Sequence, residues 1–272
     1  MEQFLSGKRL LLCGAGKMGS ALLQGWLAHG ISIDQVTVKE PNVSKWLESL
    51  KEQGLKVNKE GSQEHDLYVF AVKPQSIEEV IRQLNINFGN CPLFVSIAAG
   101  VKIAKLQSLL GPNAAIIRVM PNTPASVRKG VSCIIQSNIV SEAQINLTES
   151  LFSVVGKTIR LTEESQMDAV TAISGSGPAY VFHMIEALTA AGMKLGLREE
   201  LAENLATLTV SGAGTLAEMS ASSATKLREN VTSPNGTTEA ALKVLMNKKT
   251  GFSILFRSAV AAAAARSREL DS

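Results

Sequence analysis

Aromatic side chains are scarce in this sequence: only 4% of its residues are Phe, Trp or Tyr. Proteins that stack nucleic-acid bases need such rings as platforms. The formal net charge of +3, with no run of Lys or Arg, offers no basic patch either. Nucleic acid is therefore not an expected partner. Cysteine is sparse too. Cys13, Cys91 and Cys133 are scattered and odd in number, which argues against a disulfide framework and fits reduced thiols in a cytoplasmic protein. No apolar stretch reaches the roughly 18 uninterrupted residues a membrane span needs; Ala259–Ala265 is short and runs into Arg266 and Arg268. The run Leu10–Cys13 is too short for a signal-peptide core. The three histidines (His29, His65, His183) fall in a helix end, a loop and a helix read as buried, and no Cys/His cluster has metal-ligand spacing, so no metal is expected. No G-x-S-x-G marks a serine nucleophile.

What is present is apolar and periodic. At 272 residues and 45% hydrophobic, the chain has material for one large domain or two smaller ones. Its organising stretch is Leu10-Leu11-Leu12-Cys13-Gly14-Ala15-Gly16-Lys17-Met18-Gly19-Ser20-Ala21-Leu22. An apolar strand enters a glycine turn and leaves as an apolar helix, the context in which G-x-G-x-x-G binds a dinucleotide. Gly14 allows the tight turn, Gly16 lets backbone approach a pyrophosphate, and Gly19 lets the helix pack on the strand. The new helix presents free N–H groups and the positive end of its dipole to the anion.

From residue 8 to about 163, strand and helix signals alternate. Strands are expected at 9–13, 36–38, 67–72, 93–97, 115–119, 131–135 and 158–161, with helices at 17–28, 43–53, 76–84, 102–109 and 141–155. Near-continuous apolar strands between helices predict an α/β, doubly wound, mostly parallel sheet. The short link between residues 119 and 131 carries no helix signal, which opens the way to an antiparallel strand there. After Leu161 strand signals vanish and the pattern is helical to Arg268. The expected domains are 1–163, binding the dinucleotide, and 164–272, all-helical. The helix that includes residues 179–188 is apolar nearly all round, and burying it fully calls for a second subunit.

Candidate ligand contacts collect at strand ends, where α/β sheets bind. Lys39 and Glu40 follow the second strand: the acid suits the ribose hydroxyl of NAD and the base suits the extra phosphate of NADP, so the pair leaves the choice open. Lys73, before Pro74, ends the third. Ser96-Ile97-Ala98-Ala99-Gly100 runs into small residues that let a ligand approach. Met120-Pro121-Asn122-Thr123-Pro124 is a stiff loop, read equally as a nicotinamide-orienting element or a structural turn. In the helical part, the polar loop before Thr237 and Thr238 leads to a helix start, with Thr237 as candidate N-cap; it reads as a small-carboxylate site or as plain capping.

A dinucleotide site without an evident acid–base pair suits hydride transfer to a substrate that is already electrophilic, such as a cyclic iminium. The remaining work is to hold its carboxylate and hydrogen-bond its nitrogen.

Five motifs occur in order: Gly14-Ala15-Gly16-Lys17-Met18-Gly19, Ala71-Val72-Lys73-Pro74, Met120-Pro121-Asn122-Thr123-Pro124, Ser174-Gly175-Ser176-Gly177-Pro178-Ala179-Tyr180 and Ser233-Pro234-Asn235-Gly236-Thr237-Thr238. Together, over about residues 9–270, they resemble the pyrroline-5-carboxylate reductases, which make proline with NADPH or NADH. The resemblance implies a Rossmann-like domain followed by an all-helical dimerisation domain, in homodimers that family members often build into decamers. It implies cofactor contacts from Gly14 to Gly19, from Lys39, from Ala71 to Pro74, from Ala98 and Ala99, and from Met120, Pro121 and Asn122. It assigns substrate to Ser176, Val231, Ser233, Gly236, Thr237 and Thr238, with the Thr238 hydroxyl as the catalytic group near the ring nitrogen. Two departures stand out. Asn235 occupies a position where the family usually has glycine, and Lys39-Glu40 replaces small polar or basic residues. The alternatives are a reductase of another cyclic imino acid and a non-catalytic, cofactor-binding regulator.

Overall fold

The computed structural model describes residues 5, 7–59, 64–84 and 86–269, with only the backbone of Asn90. The remainder of the two expected domains (1–4, 6, 60–63, 85 and 270–272) lies outside the described residues. The chain divides into two compact units, 1–175 with 264–272, and 176–263.

The first unit is an eight-stranded sheet in the order β3-β2-β1-β4-β5-β6-β7-β8. Its strands are β1 (Leu10–Cys13), β2 (Val36–Lys39), β3 (Lys56–Val57), β4 (Leu67–Phe70), β5 (Leu93–Ser96), β6 (Ala115–Met120), β7 (Gly130–Gln136) and β8 (Gly156–Arg160). All neighbours are parallel except β6 and β7, so the strand after the helix-free link does run back, and β8 then pairs parallel to β7. β3 was not expected; two residues are too few for a periodicity to register.

Helices α1 (Lys17–Ala28), α2 (Lys45–Glu52), α3 (Ile77–Arg82), α4 (Ile103–Leu110) and α5 (Glu142–Ser153) supply the connections. Both faces of the sheet are covered, which is why its strands read as unbroken apolar runs. One core gathers Leu10, Leu12, Val36 and Val38 with Leu22, Trp26 and Phe152; the other gathers Leu11, Cys13, Tyr68 and Phe70 with Ile77, Phe94 and Leu106. Local chemistry sets the helix starts. The Ser44 hydroxyl accepts from Leu47 N–H at the head of α2, and Ser141 and Gln144 form a reciprocal capping box at α5. The indole Nε1 of fully buried Trp26 donates to Leu151 O at 2.8 Å, tying α1 to α5.

After β8 comes α6 (Met167–Val170) and a wide π-turn over Thr171–Gly175. Helices α7 (Gly177–Lys194), α8 (Glu199–Met219), α9 (Ala224–Asn230) and α10 (Thr237–Leu245) follow, and α11 (Phe252–Glu269) returns to the first unit at its end.

The second unit is held by small-residue packing and a few rings. A Cβ on Gly192 would lie 3.2 Å from that of Ala202, and Tyr180, Phe252 and Phe256 meet edge to face. Among helices α7 to α10 only Ala202 and Ala206 are buried. The expectation that α7 is buried on several sides is not met in one protomer: α8 and α11 pack against it, and none of its residues is buried. His183, placed by the sequence in a buried helix, is exposed, and its Nδ1 lies 2.9 Å from Glu186 Oε2.

Candidate functional site

The sheet order places the topological switch between β1 and β4, because the chain steps one way from β1 to β2 and the other way to β4. Doubly wound sheets bind their ligands beyond the carboxyl ends of the strands at such a switch. The glycine turn, Lys39-Glu40 and Ala71-Val72-Lys73 all sit at those ends. Gly14 N–H donates to Lys39 O at 2.8 Å and Ala71 N–H to Cys13 O at 2.7 Å, so the three strand ends are laced together.

The glycines are fixed by distance. Gly14 has φ +96°, and a Cβ there would meet Ala71 O at 2.6 Å. A Cβ on Gly19 would meet Gly14 O at 2.1 Å. Gly16 is different: a Cβ there meets nothing within 4 Å, so the loop is open on that side. Gly16 is also the N-cap of α1, with no side-chain cap and no acid in the first turn. The open cradle and its uncapped N–H groups fit a pyrophosphate. Lys17 is exposed and Met18 half-buried.

Glu40 occupies the remaining wall. One carboxylate oxygen accepts from Ala15 N–H at 2.7 Å and the other from Asn42 N–H at 2.8 Å. Asn58, just past β3, exchanges hydrogen bonds with the Glu40 backbone in both directions, at 2.9 and 2.8 Å. Sequence reasoning missed Asn58, because the two-residue strand before it carries no pattern that the sequence shows. Lys39 is the register partner of Cys13. Burial pushes the Cys13 thiol up to about 12, with the Lys39 charge pulling weakly the other way. A thiol so placed is no nucleophile.

Lys73 is exposed and starts the short turn Pro74–Ser76. Ala98 is buried, its N–H bonded to Ser96 Oγ, and Ala99 is half-buried. Met120 is half-buried and Pro121 buried. Asn122 has its side chain committed: Oδ1 accepts from Val131 N–H at 2.9 Å, and Nδ2 donates to Ser174 O at 3.1 Å. It braces the loop after β6 against β7 and the π-turn, and its carboxamide keeps a second N–H and a second lone pair. Arg118, buried in β6, pairs with Glu164 at 2.9 Å, and the same Glu164 oxygen accepts from Ile103 N–H at the head of α4. This pair anchors β6 directly before the loop.

The remaining expected residues lie in the second unit. Ser176 precedes α7. Val231 is 64% exposed, Ser233 and Thr237 are exposed, and Gly236 and Thr238 are half-buried. The N-cap of α10 is Gly236, not Thr237, which is the first helical residue. Gly236 takes the extended conformation of a cap, φ −83° and ψ 171°, which glycine fills about as well as threonine. Asn235 adopts the left-handed conformation at φ +59°, as a glycine would, and its N–H donates to Glu239 Oε2 at 2.6 Å. No side chain caps α10, so its first-turn N–H groups remain available. Among the described residues no group of three His, Cys, Asp or Glu side chains is placed to hold a metal ion, and no helix is long and apolar enough to cross a membrane.

Comparison with known proteins agrees with this layout. Residues 164–270 match the family model described as pyrroline-5-carboxylate reductase dimerisation, and residues 9–100 match NADP oxidoreductase coenzyme F420-dependent. The chain is 40% identical to the pyrroline-5-carboxylate reductase of Pseudomonas aeruginosa, over 98% of each chain. It is 38% identical to that of Arabidopsis thaliana, over 94% of this chain and 93% of the other. Among solved structures, a pyrroline-5-carboxylate reductase from Coxiella burnetii superposes with a TM-score of 0.87 at 36% identity, covering 97% of this chain and 99% of that one. The Plasmodium falciparum pyrroline carboxylate reductase, solved with NADP bound, gives 0.82 at 30% identity, covering 97% and 98%. With near-complete coverage at these identities, the chain belongs to the pyrroline-5-carboxylate reductase family.

Proposed function

We infer that this protein reduces the C=N bond of 1-pyrroline-5-carboxylate to give L-proline, with NADPH or NADH as donor. The observation that carries this reading is α10: in a member of this family, it starts uncapped at Gly236 with Thr237 and Thr238 in its first turn. A small carboxylate finds there amide donors and the positive end of a helix dipole.

The reduced nicotinamide, when bound, supplies a hydride; the chain's residues supply placement. Gly14 to Gly19 hold the pyrophosphate on the head of α1. Lys39, Ala71 to Pro74, Ala98, Ala99 and the loop Met120-Pro121-Asn122 line the rest of the dinucleotide site. Val231, Ser233, Gly236 and Thr237, with Ser176, bind the substrate and its carboxylate. The Thr238 hydroxyl hydrogen-bonds the ring nitrogen and orients the C=N bond; the substrate enters as the protonated iminium, so hydride on its carbon gives the neutral amine with no further proton. Residues 164–272 serve dimerisation and substrate binding, and the exposed apolar side chains of α7 and α8 support a homodimer. A cytoplasmic setting suits three free cysteines.

The test is direct. Purified protein is mixed with pyrroline-5-carboxylate and either reduced dinucleotide, and loss of nicotinamide absorbance is followed with chromatographic detection of proline. Turnover is expected. Dinucleotide binding without turnover would favour the regulator instead, and turnover only with a different ring imine would reassign the substrate.

A further inference from the structure

The clamp around Glu40 does more than close one wall of the crevice. Both carboxylate oxygens are held by backbone donors, Ala15 N–H on the glycine turn and Asn42 N–H on the following loop. A carboxylate offers about four lone-pair directions, so each oxygen keeps one to offer a further donor. Two fixed acceptors beside the glycine turn match the adjacent hydroxyls of an adenosine ribose. They do not match a phosphate ester, which brings negative charge and no donor. Like charges brought together at a partly buried site repel unless a cation intervenes.

No such cation stands with Glu40. No Lys or Arg among the described residues is ion-paired with it; the nearest in sequence, Lys39, lies in β2 opposite Cys13, and its charge is felt at that thiol. Glu40 itself stands one residue past the end of β2, where its carboxylate reaches Ala15 N–H on the glycine turn. Nor is Glu40 free to swing clear. Asn58 grips its backbone N–H and C=O at once, and does so from the left-handed conformation at φ +51°, with its own N–H bonded to Val38 O at 2.9 Å. The acid is thus held by contacts from its own strand end, the glycine turn and the end of β3.

We propose that Glu40, held in place by Asn58, makes this chain prefer NADH over NADPH by selecting against the 2′-phosphate. The proposal rests on the reductase reading above and concerns which dinucleotide that site takes better. Glu40 is the discriminating contact; Asn58 is a positioning residue that acts through it.

Calorimetric titration of the full-length protein with NAD+ and with NADP+ reads the preference without any substrate, and kcat/KM for the two reduced forms reads it again in turnover. Unaltered protein is expected to bind NAD+ about tenfold more tightly than NADP+. Glu40→Ser should lower that ratio by about tenfold or more, tightening NADP+ while weakening NAD+. Glu40→Gln keeps the shape and removes the charge, so it should move the ratio in the same direction, with folding verified by its melting curve. Asn58→Gly keeps the backbone conformation but loses the grip, and should lower the ratio about threefold; a merely structural Asn58 would shift the melting temperature and leave the ratio alone. NADP+ binding as tightly as NAD+ to the unaltered protein, or a ratio unmoved by both Glu40 variants, overturns the proposal alone. Failure of both dinucleotides to bind overturns it together with the reductase reading.

Discussion

The two units of this chain solve the same problem, burying apolar surface, in opposite ways. The first lays helices on both faces of a sheet and encloses Trp26, Phe70, Phe94 and Phe152 almost completely. In the second, helices α7 to α10 bury only Ala202 and Ala206 between them, and leave Phe182 60%, Leu208 70% and Met219 80% exposed. Their apolar content is not what separates them, since α7 has more apolar residues than most helices of the first unit. The difference is where the partner surface comes from. A parallel sheet brings its covering helices along in the same chain, because every crossover supplies one. The helices of the second unit leave apolar side chains uncovered, and residues 164–270 match a dimerisation model, so a second copy is the cover proposed above.

This contrast can be broken most severely at the uncovered face. Phe182→Glu combined with Leu208→Glu places two charges on it, and burying an unpaired charge in an interface costs far more than the lost contact. Sedimentation should show a single-chain mass, and kcat/KM should fall by more than about a hundredfold with the assembly. An assembled, active double variant would show that the cover lies elsewhere.

The next largest effect separates the chemistry of the second unit from the dinucleotide site of the first. Thr238→Ala should lower kcat/KM roughly ten- to a hundredfold, equivalent to about 1.5–3 kcal/mol for one hydrogen bond to a charged group. NAD+ and NADP+ affinities should stay unchanged. An unaltered rate would remove Thr238 from the reaction.

The smallest effect sharpens the contrast with one substitution made twice. Gly19→Ala forces a methyl against Gly14 O, a backbone atom 2.1 Å from the new Cβ, and should cost about 1–3 kcal/mol in urea unfolding. Gly212→Ala in α8 meets nothing within 4 Å, so protomer stability should change by no more than about 1 kcal/mol. A loss at Gly212 equal to that at Gly19 would mean that a neighbouring chain presses on that helix.

Much of the first unit was legible in the sequence because its determinants are local. Leu10–Cys13 followed by Gly14, Gly16 and Gly19 declares a strand, a turn and a helix within thirteen residues, and the missing helix before Val131 announced the reversed strand β7. What escaped depends on residues distant in sequence. The two-residue β3 has no pattern of its own, so Asn58 and its grip on Glu40 were invisible. Asn122 looked like a ligand residue in its loop, yet its side chain serves Val131 and Ser174. At α10 the sequence placed the cap at Thr237, one residue late: glycine caps a helix about as well as threonine, and Gly236 takes the extended cap conformation with Thr237 already helical. Asn235 was readable as a glycine substitute because asparagine tolerates positive φ.

One bond near the end of the chain has a consequence for how the protein is made. Ser267 is 3% exposed, and its hydroxyl donates to Asp168 Oδ1 at 2.7 Å, across 99 residues. Synthesis runs from the N-terminus at about 5–20 residues per second, so the sheet leaves the ribosome many seconds before this serine does. Asp168 waits uncovered in the meantime, and the earliest unit to emerge is the last to be closed. A nascent chain halted within α11 would carry a complete nucleotide fold with one carboxylate still open to water.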